Sequence, residues 1–192
     1  MKNLVTFLCM ISALVGSVFS YKCNSCMCPN STKCEVSETE CLGDRCMIVS
    51  QYFCFGDKLF KSFYKGCANE TLCGTKGTGS VEMMKFRFHV YCCTGDLCNN
   101  QEYEIFEEDP TPNGVKCPSC FRLGTLEECK TNKEMNCTGS MNRCVEYRAK
   151  IRNVDKTEED YSFKGCINSD SCRYNFDSYV GMEEIQRVFL KC

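Results

Sequence analysis

Between Lys85 and Tyr91 apolar and polar side chains alternate with period two, so that Phe86, Phe88 and Val90 face one way and Lys85, Arg87 and His89 the other. That pattern predicts a β-strand with one face buried. Residues 46–53, Cys-Met-Ile-Val-Ser-Gln-Tyr-Phe, form another β-rich run, and a turn at Phe55-Gly56-Asp57 leads into a third run over residues 58–64. Further along, residues 144–152 and 161–164 predict an equivalent pair of strands around the acidic tip Glu158-Glu159-Asp160. No long amphipathic helix is predicted downstream of the N-terminus. The expected fold class is all-β.

The N-terminus follows a different pattern. Lys2 precedes an apolar stretch over residues 4–15 that only Thr6 and Ser12 interrupt, and Val18 and Ser20 place small residues where a signal peptidase reads. A membrane helix needs about 20 apolar residues, so this stretch is expected to be a cleaved leader, residues 1–20, with Tyr21 as the mature start. No second apolar run of spanning length follows, and the sequence stops at Cys192 without the hydrophobic tail of a lipid-anchor signal. Neither a transmembrane segment nor such an anchor is expected. Without Lys2, 22 basic residues stand against 25 acidic ones, a balance that points to neither nucleic acid nor an anionic membrane surface.

Cysteine sharpens the class. The chain carries 21, and Cys9 lies in the leader, which leaves an even 20. An exported chain this rich in cysteine uses it for disulfides, because small domains bury too little apolar area to be stable alone. The cysteines also repeat. Cys23, Cys26, Cys34, Cys41, Cys46, Cys67, Cys73 and Cys92 align in order with Cys117, Cys120, Cys129, Cys137, Cys144, Cys166, Cys172 and Cys192. The flanks agree as well, Ser-Phe-Tyr-Lys-Gly-Cys ending at Cys67 against Tyr-Ser-Phe-Lys-Gly-Cys ending at Cys166. Two tandem copies follow, residues 21–100 and 116–192. Between them, residues 101–115 carry Glu102, Glu104, Glu107, Glu108 and Asp109 and then the turn formers Pro110-Thr111-Pro112-Asn113-Gly114. This segment reads as a solvated linker and a plain exposed connector.

Catalytic chemistry is scarce. His89 is the single histidine, so any histidine-assisted nucleophile would have to be built around it, and its phase in the strand predicts an exposed side chain. The Cys117-Pro118-Ser119-Cys120 motif has the spacing of a redox pair but lacks the surrounding βαβ pattern. The two Cys-x-x-Cys pairs would also suit zinc in a reducing compartment, which the leader argues against. No enzyme, no cofactor and no metal is expected. Three glycosylation sequons begin at Asn30, Asn69 and Asn136, the last beside a cysteine expected to be bridged. Tyr52, Phe53, Phe55, Leu59, Phe60, Phe63 and Tyr64 concentrate aromatic and apolar surface on one hairpin. Tyr52, Phe53 and Phe55 are the expected partner-binding residues of an exposed patch, the alternative being packing within the sheet and against the neighbouring domain.

The Cys-x-x-Cys near Tyr21, together with Tyr-Cys-Cys-Thr-Gly-Asp-Leu-Cys-Asn over residues 91–99, resembles the Ly-6/urokinase-receptor superfamily. The resemblance implies a disulfide-rich, three-finger (snake-toxin-like) fold in each copy, a knot of bridges from which three hairpin loops project. Two such domains behind a leader are most similar to the gamma-type phospholipase A2 inhibitors. It further implies the pairs Cys23–Cys46, Cys26–Cys34, Cys41–Cys67, Cys73–Cys92 and Cys93–Cys98 in the first domain, and it leaves Cys28–Cys54 as an additional pair. In the second domain it implies Cys117–Cys144, Cys120–Cys129, Cys137–Cys166 and Cys172–Cys192. Structural disulfides thereby account for the cysteines better than zinc. The family's closing asparagine falls on Asn99 in the first domain. The second domain is expected to be C-terminally incomplete, without the fifth bridge and that asparagine. The functional expectation is a secreted, extracellular, non-catalytic protein that binds an extracellular protein, a secreted phospholipase A2, and inhibits it by occlusion. The alternative is a cell-surface receptor or adhesion ectodomain whose lipid-anchor signal is missing from the sequence.

Overall fold

A computed structural model describes residues 20–28, 34–42, 45–153, 156–173 and 183–192. The expected leader, apart from Ser20, lies outside the described residues. The first copy supplies β1 (Ser20–Cys28), β2 (Ser37–Leu42), β3 (Arg45–Phe55), β4 (Lys58–Ala68), β5 (Lys76–Val81) and β6 (Met84–Cys93). The second supplies β7 (Pro112–Pro118), β8 (Cys120–Leu123), β9 (Glu134–Thr138), β10 (Arg143–Arg152), β11 (Glu158–Ile167), the short helix α1 (Ser169–Arg173) and β12 (Glu183–Lys191). β3 and β4 turn through Gly56 and Asp57, and Gly56 adopts φ +56°, a conformation a β-carbon disfavours.

One sheet runs through both copies, in the order β12-β10-β11-β5-β6-β3-β4-β1-β2, with β8 also paired to β11 and with β7 and β9 forming a separate two-stranded ribbon. The joint is β11 against β5, where Gly165, Cys166 and Ile167 pair with Val81, Ser80 and Gly79. Gly165 is obligatory in size as well as sequence, since a β-carbon there would press against the Ser80 carbonyl and Val81. Beyond the joint, Asn168 brackets β5 by accepting from the Thr78 amide (3.2 Å) and donating to the Lys76 carbonyl (2.6 Å), while its own amide donates to the Thr78 carbonyl (3.1 Å).

Residues directly opposite across a sheet share a face. By that rule Val49, Phe53 and Phe55 of β3, Phe86, Phe88 and Val90 of β6, and Val145, Tyr147 and Phe163 of the second copy all project from one face. They belong to a single apolar cluster spanning both copies. Gly77 and Gly79 of β5 leave room for it, because a β-carbon at either would run into the Phe88 or Phe86 ring. The domains therefore share a core rather than hanging from a tether.

Within the first domain Asn99 is fully buried. It accepts from the Asn24 amide (2.9 Å) and donates to the carbonyls of Asn24 (2.9 Å) and Met47 (3.0 Å), tying the end of the domain to β1 and β3.

Candidate protein-contact surface

Four strands reach the fingertips of the first domain in register. Val81, Met84, Phe55 and Lys58 form the outermost row, and Ser80, Lys85, Cys54 and Leu59 the next, on the opposite face. The Gly56 amide donates to the Met83 carbonyl (2.9 Å), so the two hairpin tips are clamped together. Leu59 (49 %), Phe60 (37 %) and Met83 (51 %) are exposed there, and Lys58, Lys61 and Lys85 are exposed around them.

The three aromatics expected to meet a partner are placed differently from one another. Tyr52 lies half-buried beneath Arg87, 5.3 Å from the guanidinium carbon to the ring centroid. Burial beside Cys54 holds its hydroxyl pKa above the usual tyrosine range. Phe53 is half-buried against the shared core and touches Phe60 at 6.3 Å between centroids. Phe55 packs edge-on against Phe121 of the second domain at 5.4 Å. Of the two readings open in the sequence, packing against the neighbouring domain holds for Phe55, and the accessible apolar tip belongs to Leu59, Phe60 and Met83. Amphipathic alternation could not separate them, because Phe53, Phe55 and Phe60 share a face and only the neighbouring domain decides which are covered.

The structure brings together Cys23 with Cys46, Cys26 with Cys34, Cys41 with Cys67, Cys73 with Cys92 and Cys93 with Cys98. In the second domain it brings together Cys117 with Cys144, Cys120 with Cys129, Cys137 with Cys166 and Cys172 with Cys192. The expected Cys28–Cys54 pair is not formed; Cys54 is free and Cys28 faces Cys34. The reason is register. Cys28 pairs with Phe63 of β4 and Cys54 with Leu59, on opposite sides of that strand. Four residues and two strand spacings then separate them, roughly 13 Å along and 10 Å across, where a bridge tolerates about 7 Å between α-carbons. Cys34 instead lies 6.0 Å from Cys26 and 5.5 Å from Cys28 between α-carbons, both within bridging range. One sulfur forms one bond, so whichever pair closes, the other cysteine remains a thiol.

Those three sulfurs lie within 4.8 Å of one another, as do Cys117, Cys137 and Cys166. The second set is taken up in bridges to Cys144 and to each other. The sequons fall in unlike places. Asn30 lies outside the described residues. Asn69 is exposed but its side-chain oxygen accepts from the Thr71 amide (3.0 Å) and hydroxyl (3.1 Å). Asn136 is exposed on β9 and lines a cleft of about 260 Å³ between the domains, shared with Lys85, Arg87 and Glu108.

Two expectations are corrected on the opposite face of the first domain. The linker is not a plain exposed connector. Its carboxylates largely face outward, but Tyr103, Ile105 and Phe106 are half-buried, with Tyr103 stacked on Tyr91 at 4.0 Å. The Ser50 hydroxyl donates to the Tyr103 carbonyl (2.9 Å) and the Tyr91 hydroxyl to the Glu104 carbonyl (3.2 Å). Beneath it His89, expected to be exposed, is only 9 % so. Strand phase put it correctly on the face away from the shared core, and the docked linker covers that face. Burial, and secondarily the charge of Lys76, lowers its pKa to about 4. Ser50 is its cross-strand neighbour, yet that hydroxyl is committed to the linker carbonyl. The apolar residues Tyr103, Ile105 and Phe106, interleaved with acids, were the available signal.

Comparison with known proteins places these features. The u-PAR/Ly-6 domain model matches residues 20–101 and 113–192. A phospholipase A2 inhibitor of the gamma type from Elaphe quadrivirgata is 30 % identical over 129 residues, 62 % of this chain and 62 % of that protein, so the match spans less than two thirds of the relative. The inhibitor of the same name from Gloydius brevicaudus siniticus is 26 % identical over 86 % of this chain and 83 % of its own. Protein RoBo-1 of Rattus norvegicus is 29 % identical over 76 % of this chain and 61 % of its own. Mouse TEX101, in a crystal structure, superposes with a TM-score of 0.33 at 19 % identity, covering 81 % of this chain and 83 % of that one. Among the described residues no helix is long and apolar enough to cross a membrane.

Proposed function

The chain belongs to the u-PAR/Ly-6 domain family, and from that premise we propose that it is a secreted, non-catalytic inhibitor that binds an extracellular phospholipase A2 and covers its working surface. Relatives carrying that inhibitor name at 26–30 % identity support the partner class. The observation that carries the surface is the clamped fingertip, where Leu59, Phe60 and Met83 stand exposed beside the Gly56–Met83 hydrogen bond. Exposed apolar groups on a rigid, cross-linked projection suit occlusion: little ordering entropy is lost on docking, and no proton or bond need move.

The test is titration of the purified protein against a panel of secreted phospholipases A2, with turnover and binding measured together. Stoichiometric binding with loss of turnover is expected for at least one enzyme. Changing Leu59 and Phe60 to serine should weaken it about thirtyfold, the scale of one interface hot spot. No binding anywhere in the panel rejects the function. Binding that survives the double change rejects the fingertip as the contact.

A further inference from the structure

The linker covers a single histidine, and the cover keeps water from a group that can take up a charge. His89 sits on β6 with its ring 3.7 Å from that of Tyr91 and 6.2 Å, edge to face, from that of Phe106. Its Nδ1 is buried with no hydrogen-bond partner. We propose that residues 103–106 form a strap that acid releases: protonation of His89 lifts the linker from the first domain.

The groups around the imidazole explain the direction. From β5, Lys76 is its cross-strand neighbour and holds its ammonium 5.8 Å over the Phe106 ring. On β6 itself Arg87 and Tyr91 flank it on the same face, and from β3 Ser50 stands opposite. From β4, Lys65 donates to the Asn100 carbonyl (3.1 Å) just before the strap. The strap contributes Tyr103 and Phe106, while its carboxylates at Glu102, Glu104 and Glu107 are exposed. Asp170 of α1 is spent on the Lys76 amide (3.5 Å). Among the described residues no ion pair includes His89. An imidazolium would thus be shut off from water beside the Lys76 ammonium, whereas a lifted strap would let water solvate it.

The sign follows from linkage. The closed state holds the imidazole neutral down to a pKa of about 4, against 6.5 when solvated. The open state therefore binds more protons between those values, so closure is at full strength above pH 6.5 and weakens as pH falls toward 4. The ratio of open to closed strap should rise roughly tenfold per pH unit across that window and level off below it.

His89 is the one histidine in the chain, so its imidazole proton resonances titrate without overlap. Nuclear magnetic resonance should give a midpoint well below 6.5, and hydrogen exchange, corrected for intrinsic rate, should show peptides over residues 101–111 losing protection between pH 7 and 4.5 while β3 and β6 keep theirs. His89→Gln should hold the strap protected at pH 4.5. Tyr103→Ala, which removes the stack on Tyr91 without touching the sheet, should instead open the strap at pH 7 and move the midpoint up toward 6.5. A midpoint near 6.5 in the unaltered protein, a strap equally protected at both pH values, or loss of protection across β3 and β6 together with the strap overturns the proposal. So does acid opening that persists in His89→Gln.

Discussion

Phe55 of the first domain and Phe121 of the second meet edge-on at 5.4 Å between ring centroids, because β8 pairs with β11 on the same side as β5 and so lies only two strand steps from β3. At about 4.8 Å per step and two residues along the strands, their backbones stand roughly 12 Å apart, a gap that two rings on the same face can span. The same face of both domains thus contributes to one core. Phe55 is structural in consequence, while Phe60, on the same face, remains partly exposed.

That difference predicts contrasting outcomes. Phe55→Ala should destabilise the protein by about 2 kcal/mol, and Phe121→Ala by a similar amount, as expected for half-buried aromatic packing. The double change should recover about 1 kcal/mol of coupling. Phe60→Ser should cost under about 1 kcal/mol and leave the melting transition single. Denaturant unfolding of the four variants is the measurement, and additive losses at Phe55 and Phe121 would show that the two rings do not support each other.

A second prediction concerns thiols. Cys54 has no partner, and Cys26, Cys28 and Cys34 supply three sulfurs where two can bond. Alkylation of the folded, unreduced protein followed by peptide mapping should label Cys54 and one of Cys26 or Cys28. Recovery of a peptide joining Cys28 to Cys54 would require β1 to shift along β4 by several residues. Cys54→Ser should leave stability within about 0.5 kcal/mol, since its thiol donates to the Gly56 carbonyl (3.3 Å) at a solvent-facing turn and a hydroxyl can replace it there.

How far the sequence reached is visible in these same residues. Alternation at Phe86, Phe88 and Val90 located β6 and its buried face, and the cysteine repeat marked out two copies, because both signals are local and periodic. The placement of Phe55 and His89 was not legible. Each depends on what lies across from a strand, the second domain in one case and the linker in the other, and neither neighbour leaves a periodic mark. Cys28 failed for a related reason: counting cysteines forces every one to find a mate, but register along β4 decides which sulfurs can meet. Gly165, inside the repeated Lys-Gly-Cys motif, and Asn168, just after it, make the joint between domains and were hidden by the repeat. Gly66 occupies the equivalent position in the first copy without making an interdomain joint.

Asn99 and Asn168 do comparable work at different seams, which makes a paired prediction. Asn99 satisfies three backbone groups inside the first domain, and its replacement by alanine leaves the Asn24 amide and the carbonyls of Asn24 and Met47 without that partner in a part-buried site. A loss of about 3 kcal/mol is expected, confined to the first domain.

Asn168 accepts from the Thr78 amide, donates to the Lys76 carbonyl and also accepts from the Ser171 amide (3.0 Å) and hydroxyl (2.6 Å), so one side chain joins β5 of the first domain to α1 of the second. Removing it strands the buried Thr78 amide, and β11 then keeps only three paired residues on β5. Asn168→Ala should therefore cost roughly 2 to 3 kcal/mol, but with a different signature from Asn99→Ala. The loss should fall on the joint between the domains. Hydrogen exchange is expected to accelerate first at residues 76–81 and 165–171, with β3 and β4 still protected, and the single unfolding transition should broaden or split as the two domains lose their shared core. Asn168→Asp keeps the acceptor for the Thr78 and Ser171 amides but turns an acceptor toward the Lys76 carbonyl where a donor stood, so it should restore little of the stability. A uniform fall in protection across both domains after Asn168→Ala would mean that the joint is no weaker than the domains it connects.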